Sequence, residues 1–247
     1  LSKTCPGAVE VDLDLTGIDF YVKEDGTGKG TSWKDAMSPD DFRYAIPRVK
    51  EGATFHIAAG EYSIYNPMES SSDEAKYMYV NAGIKFIGGY PADAEDQTAV
   101  SDPTENVTYL QSGSRYHSQY PIFVITESAK KSVEFQNVVL YKATVRNTSA
   151  DLESLIFDGC KFYYSTSSDY ASVYCTEKSN AVVSVKNSLF FGDNSDYNAI
   201  KVLNGKTVEI ENTDFCWYAP KGALFDIEGA DFVLKNSVFT DISCQSL

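Results

Sequence analysis

Tyr141, Tyr163 with Tyr164, Phe191, and Trp217 with Tyr218 return along the second half of the chain at a near-regular interval. If these side chains emerge on one face, they form a stacked aromatic row. Flat rings bordered by Asp and Asn suit sugars, whose axial C–H faces pack on π-systems while their hydroxyls bond to polar groups. Tyr in place of Phe at several of these points favours partial exposure, because the phenol needs a partner. The competing reading is purely architectural: like residues stack because each repeat copies the last.

Other chemistry has less to stand on. Proton abstraction beside an acidified carboxylate needs a positioned base, with Ca²⁺ and Arg neutralising charge. The repeat region holds only Arg146, and Lys142, Lys161, Lys186, Lys201, Lys206, Lys221 and Lys235 are scattered as a solvated strand edge would scatter them. Asp193, Asn194 and Asp196 could ligate Ca²⁺, but Asp-rich turns are usually turns. Only two histidines are present, His56 and His117. His56 lies between Phe55 and Ile57 in an alternating run, so it points away from their face and reads as a hydrogen-bonded surface residue. Two such histidines make no Ser-His-Asp or Cys-His set. Gly26, Gly28 and Gly30 hint at a phosphate loop without the spacing that one requires. No catalytic set, cofactor site or metal site is assigned.

The elements that must position the aromatic residues are set by a repeated phrase. It reads Ser-Val-Glu-Phe-Gln-Asn137, Leu-Ile-Phe-Asp-Gly159, Val-Ser-Val-Lys-Asn187, Val-Glu-Ile-Glu-Asn212 and Phe-Val-Leu-Lys-Asn236. The last position moves from 137 to 159, 187, 212 and 236, steps of 22, 28, 25 and 24 residues, within the range of one solenoid coil. Before it, apolar residues alternate as in a strand: Val133 and Phe135, Leu155 and Phe157, Val183 and Val185, Val208 and Ile210, Phe232 and Leu234. Three residues after it comes Leu140, Phe162, Phe190, Phe215 or Phe239, opening a second inward run past a bend. Asn and Gly suit the bend because both tolerate φ > 0.

One coil cannot bury its own apolar face, so coils must stack with strands about 4.8 Å apart. The expectation is all-β: a right-handed parallel β-helix with a structural ladder at Asn137, Gly159, Asn187, Asn212 and Asn236. Further strands are expected at 171–174, 199–203 and 223–227. An antiparallel sandwich would not need to repeat one phrase at a near-constant period.

Upstream, Ser38 is an expected N-cap, Pro39 a first helical residue, and Asp41 the far end of a capping box. Phe42, Ala45, Ile46 and Val49 make one apolar stripe, and Pro47 should shorten the helix. A solenoid needs its open end covered, so this helix reads as an N-terminal cap. The expected organisation is a lead-in strand over 1–20 and one β-helix domain over 21–247, with the cap at about 21–52 and coils at about 53–247.

The opening resembles bacterial extracytoplasmic proteins with pectate-lyase-like right-handed β-helices. The residues that carry the resemblance are Tyr21-Val22, the Gly-rich loop, Gly30-Thr31-Ser32-Trp33, Asp35-Ala36, Ala45-Ile46, Gly52, Ile57-Ala58-Ala59-Gly60-Glu61-Tyr62 and Gly88-Gly89-Tyr90. The resemblance implies a secreted or cell-surface, adhesin-like protein with its signal sequence removed, more often binding than cleaving. Some β-helical hydrolases of the polygalacturonase type carry Asn-Thr-Asp, as in Asn212-Thr213-Asp214. Their downstream paired Asp, Gly-His-Gly and Arg-x-Lys are missing here, and Asn212 is already explained as a ladder residue.

The net charge of −14, from 21 basic and 35 acidic residues, leaves no basic stripe for nucleic acid or anionic lipid. No apolar run is long enough for a membrane span. Five cysteines, Cys5, Cys160, Cys175, Cys216 and Cys244, form no CxxC pair and read as buried free thiols. The expected function is non-catalytic binding of a glycan or host-surface polymer through Tyr141, Tyr163, Tyr164, Trp217 and Tyr218. The alternatives are a polysaccharide lyase or glycoside hydrolase, and an architectural stalk segment.

Overall fold

The computed structural model describes residues 13, 15–64, 77–112, 123–163, 171–195 and 197–244. The repeated phrase folds as its alternation requires. After β1 (Asp19–Val22) and helix α1 (Pro39–Ala45), the first coil carries β2 (Thr54–Ala58), β3 (Gly60–Ile64) and β4 (Met78–Val80). The second has β5 (Lys85–Tyr90), β6 (Thr108–Ser112) and β7 (Phe123–Ile125); the third, β8 (Ser132–Gln136), β9 (Val139–Tyr141) and β10 (Val145–Asn147). Next come β11 (Ser154–Asp158), β12 (Lys161–Tyr163) and β13 (Val173–Cys175), then β14 (Val182–Lys186), β15 (Leu189–Ser195) and β16 (Ile200–Val202). The last are β17 (Thr207–Glu211), β18 (Asp214–Tyr218) and β19 (Phe225–Ile227), followed by β20 (Asp231–Lys235) and β21 (Val238–Thr240).

Corresponding strands of successive coils pair in parallel. They make sheets of eight strands (β1, β2, β5, β8, β11, β14, β17, β20), seven (β3 to β21 by threes) and six (β4 to β19 by threes). The fold is therefore the expected parallel β-helix, with three strands per coil. β1 pairs with β2 from Asp19↔Thr54 onward, so solenoid structure is already present at residue 19.

Exact register stacks like on like in the interior. In the eight-stranded sheet Phe20, Phe55, Phe86, Phe135 and Phe157 form one column with centroids 4.9–5.7 Å apart. In the seven-stranded sheet Phe162, Phe190, Phe215 and Phe239 do the same at 4.2, 4.9 and 5.4 Å. All but Phe239 are fully buried, each contributing about 1.5–3 kcal/mol of apolar burial.

The bend between these sheets carries two ladders. Asn137, Asn187, Asn212 and Asn236 have φ between 48° and 55°, and Gly159 has 65°. Their backbone N–H groups donate across coils, from Asn137 to Asp158 O, Gly159 to Lys186 O, Asn187 to Glu211 O and Asn212 to Lys235 O. The side chains of Asn187 and Asn212 are exposed, so the Asn ladder runs along the surface. One residue later a second ladder is better shielded. Ser188, Thr213 and Ser237 each donate a hydroxyl to the carbonyl two residues back. Ser188 also accepts from Cys160 N, and Ser237 from Thr213 N.

The N-terminal cap forms as its sequence demands. Ser38 Oγ accepts from Asp41 N at 3.1 Å and donates to Asp41 Oδ2 at 2.7 Å. Phe42 packs edge-on against Phe55, Tyr62 and Phe86, and Phe42, Ala45, Ile46 and Val49 are all buried. The helix has seven residues and ends ahead of Pro47. Glu51 then ties three coils together, its two carboxylate oxygens accepting from Gly83 N at 2.9 Å and Lys131 N at 3.0 Å.

Candidate functional site: an outer aromatic row

The seven-stranded sheet alternates Phe162, Phe190 and Phe215 inward, so the residues after them face out. Tyr141, Tyr163 and Phe191 are direct register partners on β9, β12 and β15, and Cys216 continues the row on β18. The rings of Tyr163 and Phe191 lie 5.8 Å apart, and Phe191 lies 5.4 Å from Trp217. Lys142 Nζ stands 5.4 Å from the Tyr141 ring centroid. Three rings from three coils thus touch in sequence along the solenoid.

Trp217 is outside for a local reason. Its φ of 58° breaks the alternation of β18, where Phe191 pairs with Cys216 but the next pair is Ser195 with Tyr218. The bulge turns the indole outward, 45% exposed, and swings Tyr218 into the core. Gly192 makes room for this: a Cβ there would fall 2.7 Å from the Tyr218 ring and 2.8 Å from the Trp217 carbonyl.

Tyr218 is therefore a correction. It is fully buried, and burial pushes its phenol above the ordinary value, with the Ser172 hydroxyl opposing; it is no ligand contact. Tyr164 lies outside the described residues. Tyr141, Tyr163 and Trp217 stand on the outer face as expected, joined by Phe191. Lys161 and Asp214 occupy the neighbouring outward positions on the same strands, giving the row polar flanks of both signs.

The other sequence motifs resolve structurally. Asn212 donates to Asn187 Oδ1 and Thr213 belongs to the hydroxyl ladder, so Asn212-Thr213-Asp214 is a bend. The glycine loop closes on itself: Gly26 N donates to Lys23 O, Gly28 N to Ala36 O and Gly30 N to Asp35 O, which occupies the amides a phosphate would need. Beside it an open groove of about 690 Å³ is lined by Lys23, Asp25, Trp33, Lys34, Asp35 and Glu95 among others. Among the described residues no three His, Cys, Asp or Glu side chains converge as metal ligands. No helix there is long and apolar enough to cross a membrane. Cys160 and Cys175 are buried free thiols pushed up to about 12 by burial. Cys216 and Cys244 are only half-buried, which corrects the expectation for those two.

One constellation escaped sequence reasoning in its full extent. His56 Nε2 lies 3.0 Å from Asp19 Oδ1, and its Nδ1 lies 3.0 Å from the Tyr90 hydroxyl. A carboxylate only accepts, so Nε2 carries a proton toward Asp19, and Nδ1 shares a hydrogen bond with the Tyr90 hydroxyl. Tyr21 stacks on the imidazole at 5.0 Å, and Trp33 touches both Tyr21 and Tyr90. Burial, with Tyr21 and Asp19 nearby, raises the Tyr90 phenol above its ordinary value. The array clamps β1, β2 and β5 together.

No family model, curated protein or solved structure matches the chain.

Proposed function

We propose that the chain is a non-catalytic, extracytoplasmic binding protein whose outer aromatic row holds a glycan or surface polymer. The observation that carries this reading is the contact series Tyr163, Phe191, Trp217, with Trp217 turned outward by a bulge although its place in the strand would bury it. An indole held on the surface at a left-handed backbone position costs strain, and apolar rings in a row attract the C–H faces of pyranose sugars. Lys161 and Asp214 beside the row supply a donor and an acceptor for sugar hydroxyls. Placement outside the cytoplasm rests on the resemblance of the opening segment.

The test is a glycan-array screen of the purified protein alongside assays for new reducing ends and for unsaturated products on the same polysaccharides. Binding without product is the expected result. Product formation would replace this reading with a lyase or hydrolase, and silence in both assays would favour an architectural stalk.

A further inference from the structure

The glycine loop and the turn that follows β5 wall a groove that shares no residue with the aromatic row. It holds about 690 Å³, inside the range of about 300–1,000 Å³ that small-molecule sites occupy. Lys23, Asp25, Trp33, Lys34 and Asp35 line it from one side and Glu95 from the other. Its frame is held by packing. Trp33 lies with its ring centroid 5.0 Å from Tyr21 and 5.0 Å from Tyr90, in a small second core with Ala36, Ala58 and Ala94. Gly26 and Gly28 keep the loop tight against the segment opposite, where a Cβ would run into the Met37 carbonyl or into Asp35. The Asp35 carboxylate is fixed as well: it accepts from the Thr31 hydroxyl at 2.7 Å, which holds it below the usual carboxylate range.

Polar groups on this groove are left without partners. Trp33 is 3% exposed; among the described residues nothing accepts from its indole N–H, yet that atom is not sealed in the core. It opens on the groove that Trp33 lines, and an indole N–H can only donate. Lys23, Asp25 and Glu95 have no ion-pair partner among the described residues. A purely anionic ligand would face three carboxylates here. A purely cationic one would leave Lys23 and the indole N–H with nothing to bind, and a neutral sugar would answer hydrogen bonds but neither sign of charge. We propose that the groove binds a short peptide with both termini free, its carboxylate held by Lys23 and the Trp33 indole N–H, and its ammonium by Asp25 and Glu95. Opposite charges at the two ends of one small ligand satisfy both signs at once, through charge-assisted hydrogen bonds. The volume leaves room for more than a single amino acid, and the fixed Asp35 carboxylate offers an acceptor to the peptide's own N–H groups.

The two tryptophans give two indole resonances in a nitrogen–proton correlation spectrum of the whole chain, and Trp217→Phe assigns them. Titration with triglycine should move the Trp33 resonance saturably and leave that of Trp217 in place. N-acetyltriglycine keeps only the carboxylate and triglycine amide only the ammonium, so each should bind about tenfold more weakly. Cellotriose should leave the Trp33 resonance where it is. Two variants, each checked for folding by a circular dichroism melt, assign the ends. Lys23→Gln should weaken triglycine about tenfold without further weakening triglycine amide; Asp25→Asn should weaken triglycine likewise without further weakening N-acetyltriglycine. A Trp33 resonance unmoved by triglycine overturns the proposal. So do capped peptides that bind as well as triglycine, cellotriose that shifts Trp33 saturably, and variants whose losses ignore which terminus is charged.

Discussion

The side-chain amide of Asn212 donates to the side-chain oxygen of Asn187, 3.3 Å away in the preceding coil, and both residues are exposed with φ near 50°. Asn187 in turn donates to Asp158 Oδ1 at 2.8 Å. The bend thus selects Asn chiefly for tolerating a left-handed backbone; a hydrogen bond bathed in water contributes less than a buried one.

Replacing Asn187 separates the two contributions. Asn187→Ala should be less stable than Asn187→Gly by about 1 kcal/mol, because glycine accepts positive φ without a Cβ penalty. Urea unfolding measures the difference. Equal losses in the two variants would return the weight to the side-chain bonds.

The hydroxyl ladder should respond the other way. Thr213 is fully buried, and Thr213→Val removes its bond to Glu211 O without changing shape, at a cost of about 1–2 kcal/mol. Asn212→Gly in the same assay should cost less.

Glu51 is a single side chain serving two backbone donors on other coils. Glu51→Ala leaves Gly83 N and Lys131 N without that acceptor and should lower stability by about 1–3 kcal/mol, seen as a lower thermal midpoint. Lys178→Ala, which removes an exposed ion pair with Glu127, should leave the midpoint almost unchanged.

Alkali should weaken the fold through its buried thiols. Burial raises Cys160 and Cys175 from the ordinary value of 9.0 to about 12, so the folded state holds their protons after the unfolded chain has released them. The unfolded state then binds fewer protons, and stability falls as pH rises. The contribution is fully present below about pH 9 and is lost toward pH 12. Urea midpoints at pH 8 and pH 10.5 should differ, and Cys160→Ala with Cys175→Ala should shrink that difference.

How much of this was legible depends on how local its cause is. The coil period, the bend residues and the cap helix are written in adjacent residues, from Val133 through Asn137 to Leu140 and from Ser38 to Asp41. The second ladder is equally local, since Ser188, Thr213 and Ser237 each follow a bend residue. Tyr218 went wrong because it was placed with Trp217 on one face, although neighbours in a strand point to opposite sides; the left-handed φ of Trp217 decides which of the two is buried, and no residue pattern announces it. Asp19, His56 and Tyr90 lie 37 and 34 residues apart in the pairs that bond, so their meeting follows from the stacking of β1, β2 and β5.

The central claim is that Trp217 touches the ligand. The chain has two tryptophans, and Trp33 is buried, so a Trp33→Phe variant leaves one reporter on the outer face. Titrating it with the polysaccharides that bind on the array, while following fluorescence and acrylamide quenching, tests contact directly. Binding at Trp217 predicts a blue shift and reduced quenching that saturate with the bound fraction, and Trp217→Ala should weaken binding by about tenfold, or roughly 1.4 kcal/mol, without lowering the thermal midpoint. Saturable binding with an unchanged spectrum and unchanged quenching would contradict the account and move the site off the aromatic row.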